Sequence, residues 1–158
     1  MSTTLNIVEL CTGTTSDLPV IDTIMQRAFD PRFGEGWTRG QCLGIMAMPG
    51  VFLTIARVNG QAVGFAMART VMDEVELLLL ATMPDARRRG VGRALVNAVI
   101  STGREHGAIR VHLEVRAGND AIKLYQDAGF AKIGERRGYY RGATGQLFDA
   151  LTFSRAIK

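Results

Sequence analysis

A turn rich in arginine and glycine joins an apolar segment to an amphipathic helix, and this feature most constrains how the chain can fold. The run from Val75 to Met83 before it is almost continuously apolar, as is typical of a central strand covered on both faces. Apolar residues at helical spacing follow the turn and predict a helix from Gly90 to about His106. A buried strand that leads through a tight turn into such a helix predicts helices layered on a sheet.

The same turn is suited to bind an anion. Backbone N–H groups point outward from a helix N-terminus, and the helix dipole favours negative charge there. The glycines of the turn allow the backbone to approach a ligand closely. The turn is not a Walker phosphate-binding loop, because the chain lacks the Gly-Lys-Ser/Thr sequence that this loop requires. The side chains that add diffuse attraction are Arg87, Arg88, Arg89 and Arg93. The sequence therefore predicts a phosphate or pyrophosphate site at this helix start.

Hydrophobic periodicity predicts the other elements of secondary structure. The predicted strands cover Leu5 to Leu10, Val51 to Val58, Ala62 to Val71, Val75 to Met83, Ile109 to Arg116, Lys132 to Tyr140 and Leu147 to Ala156. The further predicted helices begin near Ser16, Thr38 and Ala121. The order β-α-α-β-β-β-α-β-α-β-β predicts an α+β (mixed α/β) three-layer fold. Because no linker or repeat interrupts the chain, we expect residues 1–158 to form a single domain.

Composition narrows the possible environments and partners. Nineteen Lys+Arg against 15 Asp+Glu give a formal net charge of +4, too small to indicate binding of nucleic acid. Two cysteines exclude a disulfide framework and fit a reducing compartment. No apolar run approaches the ~20 residues of a membrane span, and the N-terminal residues do not resemble a signal peptide. We expect a cytoplasmic protein that binds neither nucleic acid nor membrane, and two separated histidines predict no metal site.

The segment from Arg87 to Gly92 resembles the Gln/Arg-x-x-Gly-x-Gly/Ala motif of the GNAT acetyltransferases. The resemblance implies the GNAT fold, with a central, mostly antiparallel sheet flanked by helices, and acetyl-CoA as the cofactor. It implies that the turn, including the backbone of Gly90, Val91 and Gly92, holds the pyrophosphate of coenzyme A. It also implies that the end of the preceding strand runs beside the pantetheine arm through backbone hydrogen bonds, at Leu80, Ala81 and Thr82.

A second segment carries candidate catalytic residues. Glu114 lies on the polar face of its predicted strand, and Tyr125 lies on the apolar stripe of the following helix. Each alone would be an ordinary structural residue. The segment from Leu113 to Phe130, however, resembles the RimI-type ribosomal-protein-alanine N-acetyltransferases. The resemblance implies that Glu114 is the general base, that Tyr125 is the general acid, and that Asn119 contacts coenzyme A.

Two of these assignments stay open. Five residues separate Asn119 from Tyr125 where the family usually has six, so Gly118 is the alternative at the coenzyme-contacting position. Some GNAT enzymes carry their catalytic glutamate on the central strand, so Glu76 is a rival to Glu114 as the base.

The segment from Arg136 to Arg141 resembles a hairpin of the same N-terminal acetyltransferases. The resemblance implies that Tyr139 and Tyr140 form one wall of a groove for a protein N-terminus. The loop from Phe33 to Thr38 could form the opposite wall. The implied reaction is direct transfer of acetyl, in a ternary complex, to the N-terminal amine of a ribosomal protein, and the expected N-terminal residue is alanine. A small-molecule amine as acceptor and a non-catalytic acyl-CoA-binding module remain alternatives, and the sequence leaves the oligomeric state open.

Overall fold

Seven strands form one sheet in the computed structural model, which describes residues 7–158. Two helices cover each face. The elements are β1 (Val8–Thr12), α1 (Leu18–Ala28), α2 (Arg39–Met46), β2 (Val51–Val58), β3 (Gln61–Val71), β4 (Glu74–Thr82), α3 (Val91–Glu105), β5 (Arg110–Arg116), α4 (Ala121–Asp127), β6 (Ala131–Arg141) and β7 (Leu147–Ala156). Their order is the predicted one, and the predicted mixed α/β fold with a mostly antiparallel sheet is confirmed. Leu5 and Asn6 of the predicted first strand lie outside the described residues.

The sheet has the strand order β1-β2-β3-β4-β5-β7-β6. Neighbouring strands are antiparallel except β4 and β5, which are parallel. Antiparallel neighbours need only short turns, whereas the parallel pair needs a crossover connection, which here contains α3. The crossover therefore places the start of α3, with its arginine–glycine turn, directly after the end of β4.

A bulge bends β4 in its middle. Ala68 of β3 pairs with Leu77 of β4, but Met67 pairs with Leu79, so Leu78 is an extra residue. The side chain of Leu77 therefore packs in the cluster that contains α3, while that of Leu79 packs in the cluster that contains α1 and α2. The second half of β4, after the bulge, is no longer paired with β5.

β4 and β5 separate at the bulge. Their pairing covers only Glu74–Leu77 with Arg110–Leu113. From Leu78 to Thr82 the edge of β4 that faces β5 has no partner strand, although the opposite edge stays paired with β3. An opening between two adjacent strands results, and it lies next to the turn that begins α3.

The apolar stripe of α3 attaches this helix to one face of the sheet. It packs on the sheet through residues that are at most 3% exposed, namely Val91, Leu95, Val96, Val99 and Ile100. On the other face, α1 and α2 cover the first half of the sheet. No helix within residues 7–158 is long and apolar enough to cross a membrane.

Leu95→Ala should reduce the free energy of unfolding by about 2–5 kcal/mol, because the side chain is 0% exposed and its removal leaves a cavity. Leu43→Ala is the matched control, since Leu43 also lies in a helix but is 49% exposed, and its cost should be about 1 kcal/mol or less. Urea denaturation of both variants measures the difference. Equal losses in the two variants would contradict the described packing of α3.

Candidate functional site

The start of α3 presents unpaired backbone N–H groups. Gly90 is the N-cap residue, with φ +81°, and no side chain caps this end of the helix. Arg88 also has a positive φ, +64°. A β-carbon on Gly90 would meet no atom within 4 Å, so the backbone conformation, not crowding, requires glycine there. The uncapped N–H groups and the helix dipole give this turn the chemistry of a pyrophosphate site.

The side chains of the turn have separate environments. Arg87 donates a hydrogen bond of 3.0 Å to the carbonyl oxygen of Ala28, at the end of α1, so its guanidinium ties the turn to that helix. The side chain of Val91 is buried, which leaves only its backbone for a ligand. All four arginines of the turn and first helical residues are exposed, and those without a described side-chain hydrogen bond are Arg88, Arg89 and Arg93. They supply the positive charge around the free N–H groups.

The residues expected beside the pantetheine arm lie on the free edge of β4. Leu80, Ala81 and Thr82 all come after the bulge, where β5 no longer pairs with β4. An unpaired strand edge presents backbone N–H and C=O groups to a ligand. This edge leads directly into the turn at Gly90, so one continuous surface joins the two expected coenzyme contacts.

Glu114 lies where β5 leaves β4, one residue beyond the last paired position. Its side chain is 12% exposed. Oε1 forms an ion pair of 2.9 Å with Nε of Arg136, and Oε2 accepts a hydrogen bond of 2.7 Å from the Thr152 hydroxyl. The guanidinium partner is 62% exposed, so it can move away at little cost. The carboxylate is thus held by a partly buried contact with a threonine and paired with an exposed arginine.

Glu76, the rival base, shares a pocket with Glu114. The pocket has a volume of about 330 Å³. It lies on the face of the sheet whose first half is covered by α1 and α2, and its lining includes Glu76, His112, Glu114 and Thr152. Glu76 pairs with His112 inside the zone where β4 and β5 are still joined. Glu114, by contrast, borders the opening. Both carboxylates are accessible, and only Glu114 adjoins the free edge of β4.

Tyr125 lies on the other side of the sheet. It is 6% exposed and packs in the cluster of α3, together with Val111 and Leu113 of β5. Alternation along the strand puts the Glu114 side chain on the opposite face. Burial, and then the charge of the Glu35 carboxylate, raise the pKa of the Tyr125 hydroxyl, so this phenol stays protonated. The two expected catalytic residues therefore lie on opposite faces of the sheet.

The two tyrosines of the hairpin differ in position. Tyr140 donates a hydrogen bond of 3.3 Å to the backbone oxygen of Glu114, and burial followed by the nearby Glu35 carboxylate raises its pKa. Tyr139 is 50% exposed, and its ring packs edge-on against that of Tyr140 at 4.9 Å. The structure thus brings Tyr140 next to Glu114 and leaves Tyr139 at the surface.

Glu35 is a site residue that the sequence reasoning missed. Its carboxylate forms an ion pair of 2.9 Å with Nε of Arg116 and accepts a hydrogen bond of 2.6 Å from Nδ2 of Asn119. The other end of the Asn119 amide accepts a bond from the N–H of Ala121, at the start of α4. Both ends of this amide are therefore engaged within the protein, while the alternative position, Gly118, has φ +88°. The available signal was a charged residue between two glycines of a loop.

The loop from Asp30 to Trp37, here called the strap, meets the turn between β6 and β7. Pro31 accepts a hydrogen bond of 3.0 Å from the N–H of Ala143. Gly142 is packed so closely that a β-carbon there would collide with the carbonyl oxygen of Arg32. The rings of Phe33 and Phe148 are in edge contact at 5.2 Å. The two walls expected for an acceptor groove therefore touch each other beside the end of β5.

Comparisons with known proteins agree with this arrangement. Residues 19–130 match the acetyltransferase (GNAT) family. The [ribosomal protein bS18]-alanine N-acetyltransferase of Escherichia coli (strain K12) is 40% identical over 89 residues, which are 56% of this chain and 60% of that protein. This chain thus matches less than two thirds of that relative's length. The protein of the same name from Salmonella typhimurium (strain LT2) is 36% identical over 132 residues, 83% of this chain and 86% of that one.

A solved structure is similar over almost the full length. The crystal structure of the ribosomal-protein-S18-alanine N-acetyltransferase from Escherichia coli superimposes with a TM-score of 0.84 at 32% sequence identity. The superposition covers 96% of this chain and 95% of that one.

Tyr125→Phe should reduce the loss of stability in alkaline solution. The unfolded chain releases this phenolic proton near pH ~10, whereas the folded protein retains it, so the free energy of unfolding falls as the pH rises above ~10. Phenylalanine has no proton to retain. Urea denaturation of both proteins at neutral pH and above pH ~10 measures the effect. An alkaline loss of equal size in the two proteins would contradict the raised pKa.

Proposed function

This chain belongs to the GNAT family of acetyl-CoA-dependent acetyltransferases, and from that premise we propose that it acetylates the α-amine of a protein N-terminus. The observation that carries the proposal is the contact between the strap and the β6–β7 turn, next to Glu114. An acceptor groove whose two walls touch each other favours an acceptor that enters by its end. The relatives' names supply the finer proposal, an N-terminal alanine of a ribosomal protein.

The proposed coenzyme site combines the free edge of β4 with the start of α3. The backbone from Leu80 to Thr82 would hold the pantetheine arm, and the turn from Arg87 to Arg93 would hold the pyrophosphate. The uncapped N–H groups and the positive φ of Gly90 support this fit. When bound, acetyl-CoA supplies an acetyl group activated as a thioester. The contribution of Asn119 or Gly118 to this site is part of the same proposal.

Glu114 is the proposed general base. Its carboxylate, directly or through one water, would accept a proton from the acceptor ammonium. An α-ammonium has a pKa near ~7.7–8.0, against ~10.4 for lysine, so the α-amine is the easier one to deprotonate. The position of Glu114 at the edge of the opening, beyond the paired zone that holds Glu76, supports this choice. Arg136 would move aside as the ammonium enters, because like charges repel.

Tyr125 is the proposed general acid on the other face. Its raised pKa keeps the hydroxyl protonated, so it would offer a hydrogen bond to the departing sulfur and transfer the proton as negative charge develops there. A backbone N–H on the free edge of β4 would stabilise the negative charge that develops on the carbonyl oxygen. Acceptor and coenzyme would thus meet in a ternary complex, without an acyl-enzyme. We also propose a cytoplasmic location, which the free Cys11 and Cys42 support.

Glu114→Gln should lower kcat by roughly 10²–10⁴-fold, because the amide cannot accept the proton. Steady-state kinetics with a saturating peptide that has a free N-terminal alanine measure this effect. Glu76→Gln is the matched control, since it alters a carboxylate of the same pocket and should change kcat little. A loss confined to Glu76→Gln would assign the base to Glu76 instead.

The acceptor can be identified in a mixture of ribosomal proteins incubated with enzyme and acetyl-CoA. Mass spectrometry should find one acetyl group gained at the N-terminus of one protein, and Glu114→Gln should abolish that gain. A panel of polyamines and amino acids tests the rival acceptor class. Turnover of a small amine with no labelled N-terminus would contradict the proposed acceptor, and coenzyme binding without any turnover would contradict catalysis.

A further inference from the structure

We propose that Thr152 is a positioning residue for proton transfer: its hydroxyl holds Oε2 of Glu114, so that Oε1 is the carboxylate oxygen that accepts the proton of the acceptor amine. This inference rests on the proposed function, because it deepens the role of Glu114 as the base. Thr152 itself is not proposed to touch the acceptor or the coenzyme, and it acts only through Glu114.

Thr152 lies directly across from Glu114 on the neighbouring strand. The register of β5 and β7 pairs the two residues. Their chain neighbours Leu113 and Phe153 are buried in the cluster that contains α3, so alternation turns Glu114 and Thr152 to the opposite face, where both line the pocket. Directly opposite residues of antiparallel strands have Cβ atoms ~4.5–5.5 Å apart, which brings the short threonine side chain within reach of the carboxylate.

The two carboxylate oxygens of Glu114 have partners of different mobility. Oε2 accepts a hydrogen bond of 2.7 Å from the hydroxyl of Thr152, a half-buried side chain whose β-branch restricts its rotation. Oε1 faces Nε of Arg136 at 2.9 Å, but this long side chain is 62% exposed. The threonine contact is therefore the more durable one, and Oε1 is the oxygen that becomes free when Arg136 moves away.

Proton transfer needs one carboxylate oxygen held in a fixed direction. A glutamate side chain has three rotatable bonds, and the hydrogen bond to Oε2 restrains them while Oε1 keeps its lone pairs for the acceptor. In the proposed step an N–H bond of the ammonium breaks, and an O–H bond forms at Oε1, directly or through one water. The electron pair of the broken bond stays on the nitrogen, which can then attack the thioester. Thr152 neither gains nor loses a proton in this step.

The same hydrogen bond limits how Arg136 can pair with Glu114. A guanidinium can engage both oxygens of a carboxylate through two parallel N–H···O bonds. The Thr152 hydroxyl donates its single proton to Oε2 and so competes with the second of these bonds. Without the hydroxyl, Arg136 can take both oxygens and leave none for the acceptor. Loss of the hydroxyl should therefore slow proton transfer both by freeing the carboxylate to rotate and by strengthening its ion pair.

Thr152→Val tests the inference with little change of shape, because valine keeps the β-branch and replaces the hydroxyl by a methyl group. Steady-state kinetics with acetyl-CoA and a saturating peptide that has a free N-terminal alanine should show kcat lower by roughly 10–100-fold, a loss typical of a misplaced reacting group. KM for acetyl-CoA should not change, since the coenzyme is not proposed to touch Thr152. Thr152→Ser keeps the hydroxyl and should recover most of the lost rate.

Ser154→Ala is the matched control. Ser154 lies two residues further along β7 on the same face of the sheet, and its hydroxyl accepts a hydrogen bond of 2.9 Å from Nη1 of Arg110. Its removal takes a hydroxyl from the same strand without touching Glu114, so kcat should stay close to the wild-type value. Urea denaturation of the Thr152 and Ser154 variants reports any loss of folded protein separately from the loss of rate.

A second background separates positioning from general damage. In the Glu114→Gln protein, adding Thr152→Val should cause no further loss of kcat, because the base that the hydroxyl positions is already gone. A residue that only stabilises the fold would cause the same relative loss in both backgrounds.

The outcomes separate the positioning role from the proposed function. Wild-type protein that fails to acetylate the peptide overturns the proposed function and this inference with it, and full kcat in Glu114→Gln overturns the base and its positioning together. If Glu114→Gln is impaired, an unchanged kcat in Thr152→Val overturns the positioning role alone. A loss that Thr152→Ser does not recover, that Ser154→Ala reproduces, or that recurs in the Glu114→Gln background also overturns the positioning role alone.

Discussion

The separation of β4 from β5 is the constraint on which the rest of the structure depends. The two parallel strands stay paired over only Glu74–Leu77 and Arg110–Leu113, and the bulge at Leu78 ends the pairing. An opening in the middle of a sheet would ordinarily expose unsatisfied backbone groups, at a cost in stability. Here those groups face the surface where a thioester-bearing coenzyme is proposed to bind. The helices on both faces and the antiparallel pairing elsewhere hold the opening in place.

Glu35 and Glu114 each form an ion pair with an arginine, and the two pairs differ in how exposed the arginine is. Glu114 is paired with Arg136, whose side chain is 62% exposed, so this pair can break when a cation arrives. Glu35 is paired with Arg116, whose side chain is 13% exposed, so this pair resists rupture. The same ion-pair chemistry thus suits one glutamate to proton transfer and the other to holding a loop, and burial makes the difference.

Much of the fold follows from local sequence, whereas the long-range contacts of the site do not. The strands, the helices and the turn at Gly90 were predictable because their periodicity and glycines act over a few residues, and the family assignment is confirmed. The bulge at Leu78 was hidden because its neighbours in the strand are also leucines. The bond between Glu35 and Asn119 joins residues 84 positions apart, which no local pattern reveals. The roles of Glu114 and Tyr125 stay predictions, and the structure places the two residues on opposite faces of the sheet.

The most direct test of the account is a crystal structure with a conjugate that links coenzyme A to the N-terminus of an alanine-first peptide. We expect the pyrophosphate to lie at the N–H groups that begin α3, and the pantetheine to lie along β4 from Leu80 to Thr82. We expect the linked nitrogen to lie within hydrogen-bond reach of Glu114, directly or through one water, and the peptide to leave beneath the strap. A nitrogen beside Glu76 in the paired zone, or a peptide that passes outside the strap, would contradict the account.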